Sequence, residues 1–264
     1  MPTASKDQDA GRIRNWILVL SAAAWALLTV EAHTLHLAHC VGLTRDAMPL
    51  TASFAMFVRM NQPGSLPGGW VLMLAAMMSP VLISPIRHIR LGCFVHRRAR
   101  MTALFALGYA VIWMSTGLPL LLIEVGVQFL KPASYVPAAV IAIVAIIWQC
   151  SPMKQHCING CHSQAPLSAF GVAADSDALR FGLVHGAWCA GSCWAWMLFP
   201  MLLPHGHLLA MVAVTVLVWS ERLEPSGPAR WRWRGVGRAF RILKAQTRIR
   251  MRNSDKRDCQ TGTA

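Results

Sequence analysis

Six apolar runs, at 15–30, 70–86, 101–130, 135–150, 179–203 and 207–220, take up most of this chain. A hydrocarbon core about 30 Å thick is crossed by a helix of about 20 apolar residues. A continuous apolar segment inside lipid must bond its backbone groups internally, which a helix does. The expected fold is therefore an all-α membrane protein built as a six-helix transmembrane bundle. Composition agrees: 55% of residues are hydrophobic and 14% charged, with a mean hydropathy of +0.43. A soluble domain carries nearly twice that charge fraction. The third run contains Gly117 and Pro119, so a kink or tilt is expected there.

Orientation follows from lysine and arginine. The 87–100 connection holds Arg87, Arg90, Arg97, Arg98 and Arg100 without an acid, and the chain after 220 is strongly basic. The connections around Lys131 and around His205 are nearly free of bases. Alternate loops are thus basic, which places both termini on the cytoplasmic side of a multi-pass membrane protein. The +14 net charge is mainly this signal, and no nucleic-acid partner is needed to explain it. Three regions follow: a disordered N-terminus at 1–14, a transmembrane domain at 15–220 and a basic cytoplasmic tail at 221–264. The first run is read as a retained signal anchor, because no small-residue cleavage site follows it. The 54–60 stretch reads as a short interfacial helix. In the tail, 230–252 interleaves tryptophans and aliphatic residues with arginines, a pattern suited to anionic lipid on the inner leaflet.

Chemistry concentrates in the fifth run. His185, Cys189 and Cys193 stand four residues apart, so in a helix they share nearly one face. Soft ligands inside a membrane are costly or idle unless they bind something. Successive members of the trio are about 6 Å apart along the axis and the outer two about 12 Å. One ion can bridge His185 with Cys189, or Cys189 with Cys193, but not all three. Ligands from elsewhere, two ions, or one ion relayed along the face would use the whole set. The 151–177 connection supplies Cys157 and Cys161, flanked by His156 and His162. On a reducing cytoplasmic side these cysteines are thiols or metal ligands rather than disulfides. Thiolate with imidazole suits Cu(I), Zn(II) or iron. Met73, Met77, Met78 and Met197 add thioether sulfur, which favours Cu(I) with Zn(II) as the alternative.

A second group, Glu31, His33, His36, His39 and Cys40 with His205 and His207, lies at the opposite face and reads first as interfacial histidines. Glu124 is an intramembrane acid near the outer end of the third run. No glycine-rich phosphate loop, nucleophile elbow or carboxylate pair is present in the sequence, so hydrolysis and phosphoryl transfer have no support.

The segments 73–80 (Met-Leu-Ala-Ala-Met-Met-Ser-Pro), 150–166 and 185–197 together resemble a bacterial family of six-helix proteins. It is known as the predicted metal-binding integral membrane proteins, a family of unknown function. The resemblance runs from about Trp16 to Trp219 and leaves the basic tail outside. It implies that Met77, Met78 and Pro80 belong to a second-helix motif, Cys157 and Cys161 to an inner-loop motif, and His185, Cys189 and Cys193 to a fifth-helix motif.

The expected function is soft-metal binding within the membrane, most of all copper, for transport, delivery or homeostasis. A metallochaperone or another membrane protein would be the partner. Metal binding displaces thiol protons, so affinity should fall at low pH. The alternatives are a membrane thiol–disulfide oxidoreductase, which the Cys-x-x-x-Cys spacing disfavours against the usual Cys-x-x-Cys, and a non-catalytic assembly subunit.

Overall fold

A computed structural model describes residues 3–39, 65–130, 134–168 and 170–233, with 237 and 244. Among them every regular element is helical: α1 (Thr3–His39), α2 (Ser65–Met78), α3 (Ile83–Gly92), α4 (Arg98–Leu130), α5 (Val136–Cys150), α6 (Pro152–His162), α7 (Gly171–Met201) and α8 (His207–Glu221). Short 3-10 turns, Ser79–Leu82 and Val95–Arg97, join α2 to α3 and α3 to α4.

Three segments are long and apolar enough to cross a membrane: Gly11–Val30, Gly68–Gly92 and Val95–Val127. The count becomes four if α5 and α6, bent by 67° at Ser151, form one broken span. Of the six runs, those forming α5 and α8 give helices of 15 residues each. At 1.5 Å per residue that is about 22 Å, short of a hydrocarbon core. The run at 179–203 forms the long α7, but glycine, serine, histidine and tryptophan dilute its apolar character.

α7 is the centre of the structure, packed by α4, α5, α6 and α8. Its small residues explain how. Gly182 lies directly on the Phe105 backbone carbonyl of α4, where a Cβ has no room. Small residues that let backbones touch are how helices associate where solvent gives no hydrophobic drive. One core cluster gathers Trp70, Met73, Met77, Met78, Tyr109 and Trp113 with Cys189, Cys193 and Met197. A second joins Ile86, Ile89, Met101 and Phe105 to Ala178 and Phe181. The outward faces of α4, α5 and α8 carry exposed large apolar residues, among them Leu118, Leu122, Val140, Ile143, Ile147, Leu209 and Val216.

α4 runs on as helix past Pro119, and Gly117 is the seat against which the Trp70 indole packs. One local expectation changes. Much of the connection expected as a loop at 151–177 is the helix α6, which begins as a helix should. Ser151 caps it by accepting from the Lys154 N–H at 3.1 Å, with proline in the first turn.

Beyond α8 the chain crosses back over α6. Asn159 donates to the Gly227 carbonyl at 2.8 Å and accepts from its N–H at 3.2 Å, and the Arg232 N–H donates to the Cys150 carbonyl at 3.1 Å. Arg230–Trp233 is not helical, and Trp231 and Trp233 are exposed. Most of the 230–252 segment, the 54–60 stretch and Cys40 lie outside the described residues, as do the side chains of Glu31, His33, His36 and His39.

Candidate metal centre

Because α6 is a helix, Cys157 and Cys161 occupy one of its faces, one turn apart. That face meets α7 at Gly191, between Cys189 and Cys193, where a Cβ would stand 3.0 Å from Cys157 Sγ. On the other side Gly160 of α6 receives the Trp188 ring. The Trp148 indole N–H of α5 donates to the Gly191 carbonyl at 3.0 Å and fixes this crossing. Two Cys-x-x-x-Cys helices therefore approach at glycines, and the four thiols come to one region.

Cys189 and Cys193 are fully buried, Cys157 is buried and Cys161 is half-buried. All the described cysteines are free thiols. The Cys193 S–H donates to the Cys189 carbonyl at 3.1 Å. Cys189 Sγ lies 3.4 Å from the Tyr109 hydroxyl of α4 and accepts from Arg222 Nη2 at 3.1 Å. The same guanidinium nitrogen donates to Ser192 Oγ at 3.1 Å, and Cys161 lies within electrostatic reach of the guanidinium. Arg222, just past α8, is thus inserted among the thiols of two other helices.

His185 is 4% exposed and lies against the rings of Phe105, Tyr109 and Phe181, with centroids 5.8–6.2 Å away. Neither ring nitrogen has a hydrogen-bond partner among the described residues. A buried polar group is almost always satisfied, and leaving one bare costs about 1–3 kcal/mol. Met77 and Met78 are fully buried in the same core cluster as Cys189 and Cys193. His156 instead stands on the exposed side of α6, edge-on to Trp188 at 5.2 Å. His162 turns to the backbone, with its ring nitrogens 2.9 Å from the Ile158 carbonyl and 3.3 Å from that of Arg222. Cys93 lies apart at the end of α3, where burial pushes its thiol pKa up against the pull of nearby arginines. Among the described residues, no three histidine, cysteine or acidic side chains are already drawn together as a closed metal site. The donors are gathered but not convergent.

Beside the thiols lies a polar knot that the sequence reading missed. Lys154 Nζ donates to Glu221 Oε1 at 2.8 Å, with both side chains buried. Gln149 Oε1 accepts from Lys154 and, at 2.7 Å, from the Trp196 indole, while its amide nitrogen donates to Glu221. One group from each of α5, α6, α7 and α8 is tied at this point. A lysine inside an apolar helix pair and an acid ending α8 were the available signals.

Soft sulfur and an unsatisfied imidazole, buried at the centre of a helical bundle, are the donor chemistry of a soft-metal protein. The chain belongs to the copper chaperone family PpoB2, whose family model matches residues 68–243, about two thirds of its length. The match runs from within α2 through α8, and it extends into the basic tail that the expected family range excluded. It begins after the histidines at 33–39. No curated protein and no solved structure matches the chain.

Proposed function

We propose that this protein carries Cu(I) as cargo at a buried thiol site within the membrane and passes it to a partner protein. The observation that carries the reading is the buried His185, whose ring nitrogens have no hydrogen-bond partner among the described residues, beside the thiols that α6 and α7 bring together. Cys189 and Cys193 are the principal ligands, with Cys161, Cys157 and His185 completing or relaying the site. Met77 and Met78 add soft sulfur from the neighbouring helix. The membership in a copper chaperone family supports copper over zinc. The apolar segments and the outward apolar faces of α4, α5 and α8 support a bilayer as the surrounding solvent. The six-helix bundle with cytoplasmic termini, in a bacterial inner membrane, remains the topology proposed. The tail at 230–252 is proposed to rest on anionic lipid.

Chemically, each thiol gives up its proton as a copper–sulfur bond forms. Burial then keeps water and oxidants from the bound ion, and the half-buried Cys161 is the sulfur nearest to an incoming partner. The test is anaerobic elemental analysis of detergent-purified protein beside the Cys189→Ser/Cys193→Ser double variant. Stoichiometric copper in the parent and its loss from a folded variant is the expected result. Equal copper in both would remove these two sulfurs from the site. No copper in either, with thiols that oxidise reversibly in pairs, would replace the reading with a thiol oxidoreductase.

A further inference from the structure

The placement of Arg222 has no explanation in packing alone. It follows the last turn of α8 and projects its guanidinium to Cys189 Sγ and Ser192 Oγ of α7, both at 3.1 Å. Its Nη1 is buried and has no partner among the described residues. The neighbouring acid, Glu221, is already held by Lys154 at 2.8 Å, and none of the described ion pairs includes Arg222. His162 faces it only through the Arg222 carbonyl. The Lys154–Glu221 pair is neutral as a whole, so with the thiols protonated Arg222 leaves one unbalanced positive charge beside the sulfurs. A guanidinium cannot shed that charge, and a buried charge without a counter-charge is expensive.

The charge of the site therefore discriminates between cations. Two thiolates holding a monovalent ion carry one net negative charge, which one guanidinium balances. Two thiolates holding a divalent ion are neutral, and Arg222 is again left uncompensated. We propose that Arg222 is the specificity-determining residue of the thiol site, the fixed counter-charge of an anionic Cu(I)–dithiolate that includes Cys189, favouring a monovalent soft cation over a divalent one. The inference deepens the copper reading above and depends on it.

The experiment is competition binding on the full-length protein in detergent, with Cu(I) and Zn(II) each titrated against a chelator under anaerobic conditions. Three proteins are compared: the parent, Arg222→Met and Arg222→Lys. The methionine keeps much of the length without the charge, and the lysine keeps the charge without the fork. Arg222→Met should lower the ratio of Cu(I) to Zn(II) affinity by at least about tenfold, equivalent to about 1.4 kcal/mol. Arg222→Lys should recover most of that ratio. An unchanged ratio in Arg222→Met, or an equal loss for both ions, overturns the proposal, because a packing role would not sort ions by charge. If Arg222→Met does not stay folded, Arg222→Lys decides alone: a folded lysine variant with the parent's ratio supports the charge, and a tenfold drop refutes it. A parent protein that binds neither ion refutes the copper reading itself, which is a separate outcome.

Discussion

Removing the carboxylate at position 221 should be among the costliest single changes in this chain. Lys154 is 0% exposed, and its ammonium meets Glu221 Oε1 at 2.8 Å and the Gln149 amide oxygen. Glu221→Gln preserves volume and one acceptor oxygen, so the hydrogen bond itself can largely survive. What disappears is the counter-charge of a lysine that has no path to water. Stranding one member of a buried pair costs about 3–5 kcal/mol, against about 1 kcal/mol for an ordinary hydrogen bond. We take the lower end, about 3 kcal/mol, because the amide still accepts. For a protein of this size that lowers Tm by roughly 6–12 °C. The assay is a helical circular-dichroism melt in mild detergent, comparing the parent, Glu221→Gln, and the double variant Lys154→Met/Glu221→Met. Two apolar side chains in place of the pair should bring stability back near the parent value. A Glu221→Gln loss under about 1 kcal/mol, or a double variant as unstable as the single one, would show that the pair is hydrated and refute the reasoning.

Two further changes separate binding from folding. His185→Phe exchanges a buried imidazole with no hydrogen-bond partner among the described residues for a ring that suits Phe105, Tyr109 and Phe181. It should hold or raise thermal stability, by up to about 1–3 kcal/mol, while lowering copper affinity; a marked destabilisation would assign His185 to the fold instead. Gly191→Val places carbon against Cys157 Sγ, where even a bare Cβ would come within 3.0 Å. It should cost about 1–3 kcal/mol and reduce copper per protein in elemental analysis, and parent-like values for both would place the α6–α7 contact elsewhere.

The helical class and the thiol spacing were readable along the chain because both are local. A period of four fixes His185, Cys189 and Cys193 on one face whatever surrounds them. Reading α6 as a loop was avoidable, since Ser151 followed by proline is a helix start. The span count is the less legible part, because an apolar run of 15 residues signals burial as readily as membrane crossing. Lys154, Glu221 and Arg222 were missed for a different reason. Lys154 pairs with an acid 67 positions away, and Arg222 was absorbed into the positive charge of the tail. Charge patterning shows how many charges a segment has, and only the fold shows which of them turn inward. His156 is the converse: its position beside Cys157 suggested a ligand, but the helix turns it toward Trp188 and the exterior.

The segment that crosses back over α6 changes where this protein can be cut or extended. Arg222, Gly227 and Arg232 each hold a point on the thiol-bearing half of the structure, through Cys189, Asn159 and the Cys150 carbonyl in turn. The helical unit therefore reaches at least to Arg232 and does not stop at the end of α8. A reporter fused directly after Ser220 would remove an arm of the scaffold along with the tail, and its signal would describe a different molecule.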